Sequence, residues 1–246
     1  MLRCAFAVAF IFGLLVGARG QEARVAEPNK APSLQPILEA LDKAKLSGSL
    51  VFSGRCDLRE CKPFRPTSEC FPDFPQFRAR ATSEGSPLQT LREIFADDPA
   101  MQVMQESDGT IRMIETGVPT DLLNIRIRDI VFEGYGHSAV YNPNAALNFI
   151  LSAPEVVAFM KLHDIGWPFA GEAAPGNPGA WPPDLPHISG SLDNVTLSEA
   201  LDRVLKTFPG VWVYENCPRS DKKNRVVYFR FFHLRKIGSG VPLVDE

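Results

Sequence analysis

Several residue groups in this chain are of types that do chemistry, and their spacing decides what each can do. The sharpest is Gly136-His137-Ser138 in "GYGHSAVY", read between a strand and a helix. A serine at such a junction is the nucleophile elbow of α/β-hydrolases, where a glycine on each side of the turn keeps β-carbons away from the backbone. Val140 stands where the second glycine belongs, so the motif is broken. Asp164 and either His187 or His233 would have to complete a triad, and no run of parallel strands is read that would carry it. A glycine-rich loop is the reading kept.

Past the first twenty residues there are four cysteines, Cys56, Cys61, Cys70 and Cys217. Three crowd into one loop, which raises zinc as an alternative to disulfides. Zinc knuckles place two ligands with about two to four residues between them, and the gap from Cys61 to Cys70 is too wide for one. Disulfides are the expectation, with one bridge running from Cys217 to the loop near residue 60 if all four pair. His137, His163, His187 and His233 have no ligand spacing such as H-E-x-x-H, so no metal is expected. Asp97-Asp98 reads as a solvated helix end and Glu155 as a cap. No catalytic residue, cofactor or metal ligand is assigned.

The elements that would position these groups follow a leader. Residues 1–20 place Arg3 before an apolar run from Cys4 to Ala18, with a small-residue site at Ala18-Arg19-Gly20, as in a secretory signal peptide. Its removal takes Arg3 and Arg19 away, leaving 24 basic against 29 acidic residues, a net charge of −5. That balance argues against nucleic acid, which is held through basic surface. No later stretch has the length of a membrane-spanning helix. An exported chain, periplasmic or secreted, is the expectation.

Residues 21–32 read as a disordered lead-in. A first α+β module is expected over 33–118, with a helix carrying Leu34, Ile37, Leu38 and Leu41 on one face and closed by a left-handed residue near Gly48. The strand "SLVFS" follows, then a Cys/Pro loop over 54–76. A strand and two helices are expected over 119–163. Leu123, Ile125 and Ile127 alternate as in a strand with one wet face, Asn142-Pro143 opens a helix, and Ser152 with Glu155 forms a capping box for a second. Residues 164–187 form a Pro/Gly/Trp linker, and 237–246 a flexible tail. Trp167 and Trp181 are a candidate interaction surface, set against rings that pack back onto the protein.

The most orderly stretch is "DNVTLSEALDRVLKTFPGVWVYEN" in 188–236. Thr196 and Glu199 make a capping box, Leu197, Ala200, Leu201, Val204 and Leu205 form one apolar stripe, and strands "VWVYE" and "RVVYFRFF" follow. The second of these is apolar on both faces, as in a strand covered on two sides. The same grammar runs through "SPLQTLREIFADDPAMQVMQE", with Leu91, Ile94 and Phe95 where Leu201, Val204 and Leu205 stand. Two related β-α-β-β units are therefore expected, each in its own half. The pattern resembles the short domain at the N-termini of secretins and TonB-dependent receptors. That resemblance implies a cell-envelope location and binding of proteins through strand edges and helix faces, and it brings no catalytic residues. The expectation is an α+β, exported, non-catalytic adaptor for envelope protein partners; the alternative is an exported hydrolase or small-molecule binder with a site between the halves.

Overall fold

Helix α1 (Gln35–Ala44) forms because Leu34, Ile37 and Leu41 recur on one side, and all three are fully buried. The computed structural model describes residues 34–54, 85–132, 141–167, 186–218 and 225–234, all within the unit Pro32–Glu246. The left-handed residue that closes α1 is Lys45, at φ 56°, with the Leu46 N–H donating to the Leu41 carbonyl. Gly48 instead opens strand β1 (Gly48–Ser53), where a β-carbon would lie 2.6 Å from the Ile111 carbonyl oxygen of the neighbouring strand. It answers a close approach of two backbones, not a helix end.

Helix α2 (Pro87–Ile94) is capped by the Ser86 hydroxyl, which accepts from the Gln89 N–H, while the Gln89 amide turns to Glu93. Strands β2 (Met101–Gln105) and β3 (Ile111–Glu115) form an antiparallel hairpin turned at Gly109, φ 87°. The strand expected through Leu123 and Ile125 begins later. Leu122–Asn124 is a 3-10 turn that buries Leu122 and Leu123 together, which a strand cannot do on one face, and β4 runs Arg126–Val131.

Helix α3 (Pro143–Leu151) is capped by Asn142, and α4 (Pro154–Leu162) follows at a 63° bend. The Ser152–Glu155 capping box does not form. Ala153 is the cap residue, the Ser152 hydroxyl donates back to the Asn148 carbonyl, and the Glu155 carboxylate accepts from Arg128 of β4 at 2.6 Å. The linker expected from 164 also starts later, because β5 (Ile165–Gly166) pairs into the main sheet. Strand β6 (Ser191–Thr196) leads into α5 (Leu197–Thr207), whose Thr196–Glu199 capping box and buried apolar stripe are as read from the sequence. The long strands β7 (Gly210–Pro218) and β8 (Arg225–His233) complete the chain's described part.

The fold is α+β, with a six-stranded sheet in the order β2-β3-β1-β7-β8-β5 and a two-stranded sheet of β4 and β6. Strands from both halves share the larger sheet, which corrects the expectation of a small sheet in each. The reason is β1, which pairs in parallel with β3 on one side and β7 on the other. Side chains alternate along β7 into two cores. Val211 and Val213 meet α1 and α2, while Trp212 and Tyr214 meet α3, α4 and α5. Each large apolar side chain so buried contributes about 1.5–3 kcal/mol.

The two helix-hairpin segments that align in sequence take different places. Hairpin β2-β3 meets β1 through its second strand, and hairpin β7-β8 through its first. Val103 and Val213, equivalent by sequence, therefore sit on an edge strand and a central strand. Among the described residues no single helix is long and apolar enough to cross a membrane.

Beyond the apolar part of β7, Glu215 is 1% exposed, and an added β-carbon on Gly54 would strike its carboxylate. Burial pushes the Glu215 carboxyl up to about 7, against the opposing pull of Arg230. A carboxyl raised in the folded state is protonated there while ionised in the unfolded chain, so stability is highest at low pH and falls as pH rises from about 4.5 to about 7. Relative to Glu215→Gln, the wild-type chain is expected to lose about 1–3 kcal/mol over that window in denaturant titrations. A constant difference between the two proteins across the window contradicts this.

Candidate interaction site

In hairpin β2-β3 the Glu106 N–H donates to Thr110 and the Ala100 carbonyl accepts from Thr116, so even-numbered residues of β2 face β3. The odd-numbered residues face the other way. The N–H and C=O groups of Val103 and Gln105, with the C=O of Met101, therefore point out of the sheet. Arg92 of α2 reaches the Val103 carbonyl at 3.5 Å, a long bond. On the flat of the strand Gln102 is exposed and Met104 is 42% exposed, an unusual state for a large apolar side chain in a sheet.

Two other edges, those of β8 and β6, are better closed. At β8 the far edge is met by β5 across Arg225 and Val226, and by Asn144 of α3, whose side-chain oxygen accepts the Phe231 N–H. In the small sheet, Asn194 of β6 takes a left-handed φ of 52°, and Arg126 covers its carbonyl. Such twists and covering groups keep edges from pairing. Strand β2 itself carries no proline and no charge.

Next to this flank, α5 is tied to β3 and β7 by one polar network. Arg112 of β3 donates to Glu106, to the Ser198 hydroxyl and to Asp202 of α5, while the Trp212 indole N–H donates to the other Asp202 oxygen at 2.9 Å. Asp202 is 9% exposed. Burial raises its carboxyl above the ordinary range, with Arg112 and Trp212 pulling the other way. Beside this network a cleft of about 300 Å³ opens between the two halves of the sequence. Val51, Ile114, Leu123 and Trp212 give it apolar walls, and Arg112, Asn124, Thr196, Ser198 and Glu199 line it with polar groups. The Glu199 carboxyl is held below its ordinary range by the N–H and hydroxyl of Thr196, so it serves the cap.

Of the residues singled out in the sequence, Trp167 is partly buried against the larger core, and its ring packs back onto the protein. Cys217 is fully buried and disulfide-bonded, with its partner outside the described residues. Trp181, Cys56, Cys61, Cys70 and the Gly136-His137-Ser138 segment also lie outside them. Asp164 is exposed at the end of α4, His187 is exposed with its ring 5.5 Å from that of Tyr141, and burial lowers the pKa of His233 at the end of β8. Among the described residues no three His, Cys, Asp or Glu side chains are grouped to hold a metal ion. Sequence reasoning missed the Arg112–Asp202–Trp212 network and the edge of β2. Ser198, Asp202 and Lys206 at four-residue spacing on the polar side of α5 were the available signal.

No protein-family profile, curated protein or solved structure matches this chain.

Asp202→Ala would leave the Trp212 indole and the inner side of Arg112 without their acceptor. A loss of about 2–4 kcal/mol of stability is expected in chemical denaturation. Glu106→Ala, which removes a half-exposed partner of the same guanidinium, should cost less than about 1 kcal/mol.

Proposed function

We propose that this chain is an exported, non-catalytic interaction module of the cell envelope that receives an extended segment of a partner protein on the edge of β2. The observation that carries the reading is the row of outward backbone groups at Met101, Val103 and Gln105, on an edge strand without proline or charge that no other described strand covers. Strand addition uses such groups for affinity and the neighbouring side chains for selectivity. Met104 offers the apolar contact beside them.

The resemblance to the secretin and TonB short N-terminal domain supports the same reading. The order β6, α5, β7, β8 follows the strand, helix and two strands that it implies, with β6 paired to β4 and not to β7 or β8, and α5 has the capping box and apolar stripe. A degenerate second copy in 86–115 accounts for the repeated sequence pattern, its hairpin having been fitted into the shared sheet by the opposite strand. The leader at 1–20 and the disulfide at Cys217 both suit an oxidising, exported location.

A second reading is favoured by the cleft. Its walls come from both halves, and its mixed lining suits a small molecule with an apolar body and a polar head. On this reading the protein is a ligand-binding component of the envelope, and the cleft rather than the edge is occupied.

Crosslinking in the native host, followed by affinity capture of the mature chain, tests the proposal. Gln105→Pro removes an outward N–H without touching a β2-β3 bond, and Gln105 is exposed at the strand end. The variant should keep its stability within about 1 kcal/mol and lose the captured partner. Capture undiminished by this variant would remove β2 as the binding edge, and recovery of the chain alone would favour the small-molecule reading.

A further inference from the structure

The open edge of β2 lies in the most acidic part of the chain. Residues 85–121 hold seven acidic side chains against Arg92 and Arg112, a net charge of −5, where the whole chain carries −3. Four of the acids stand at the two ends of the edge strand. Asp97 and Asp98 are exposed in the turn before β2, and Glu106 and Asp108 are exposed in the turn after it. Two of them are fixed in place, since Asp98 accepts the Ala100 N–H and Asp108 the Thr110 N–H. The Thr110 backbone and hydroxyl hold the Asp108 carboxyl below its ordinary range, so it is charged at neutral pH.

Among the described residues, the nearby cations offset this field only in part. Arg112 is turned inward to Asp202 as well as to Glu106, and Lys206 stands 3.9 Å from Asp108. Arg92 lies along the edge itself, on the Val103 carbonyl. A strand rises about 3.3 Å per residue, so carboxylates at both ends of β2 bracket a docked segment of about five to seven residues. Such a field draws in basic segments and opposes acidic ones.

We infer that the segment received by β2 is an extended strand of a partner protein with lysine or arginine at both ends, its backbone on Val103 and Gln105 and its flanks between Asp97-Asp98 and Glu106-Asp108. This rests on the edge reading above and adds the chemistry of the partner. The centre of the segment crosses Gln102 and Met104, which suits apolar or small polar residues there.

The test is fluorescence anisotropy of three labelled peptides on the full mature chain. The peptides share a valine-threonine centre and are flanked by lysine, threonine or glutamate. The lysine peptide should bind at least about tenfold more tightly than the glutamate peptide, and its advantage should shrink as salt is raised. The combined variant Asp97→Asn, Asp98→Asn and Asp108→Asn keeps the turn acceptors and should abolish that advantage. Gln105→Pro should weaken all three peptides. Equal binding of the three peptides that still responds to Gln105→Pro overturns the charge inference and leaves the edge reading standing. Binding indifferent to Gln105→Pro, or no binding of any peptide, overturns both.

Discussion

The carboxylate of Asp202 is the constraint on which the arrangement of this protein turns. A buried carboxylate is tolerated only where donors meet it, and here they come from two strands of the sheet: the guanidinium of Arg112 on β3 and the indole of Trp212 on β7. Strand β1 lies between those two, so the contact pins α5 across three parallel strands drawn from both ends of the sequence. The opposite face is filled by α1 and α2, which share their core with Val211 and Val213. Together these contacts make one sheet out of what the sequence presents as two halves.

Among the described residues no helix covers the α5 side of the sheet beyond β3, while the other face of β2 packs on α2. Met104 and Gln102 are exposed there, while Trp212 and Tyr214 in the covered part are fully buried. The sheet is thus asymmetric. Its β8 side is closed by β5 and by the Asn144 side chain, while on its β2 side Gln105 is exposed and the outward groups of Val103, a buried residue with Arg92 on its carbonyl, bond to no described strand. An open edge calls for some restraint against self-pairing, and carboxylates at either end of β2 put like charges between two copies meeting there.

Local structure was legible in the sequence where a side chain states its role within one helical turn. The Thr196–Glu199 box, the Asn142-Pro143 start of α3 and the buried stripe of α5 all belong to that class. Errors came where a second partner competes for the same group. Glu155 was claimed by Arg128, twenty-seven residues away, and so did not cap α4. Lys45 took the left-handed place assigned to Gly48 because Gly48 was needed against Ile111. The strand order was out of reach for a similar reason. Both edges of β1 accept parallel partners, and nothing in a local pattern says that β3 and β7 will take them. The edge of β2 was equally hidden, since an unpaired backbone group has no sequence signature apart from the strand that fails to cover it.

The most direct measurement of the central claim is amide hydrogen exchange, residue by residue, on the chain alone and with its captured partner. In the chain alone, the Val103 and Gln105 amides should exchange fast and those of Gln102 and Met104 slowly, because only the latter bond to β3. With the partner bound, Val103 and Gln105 should become protected while Phe231, already held by Asn144, stays unchanged. Protection that appears around the cleft at Thr196 and Ser198, with Val103 and Gln105 still exchanging fast, would contradict the account.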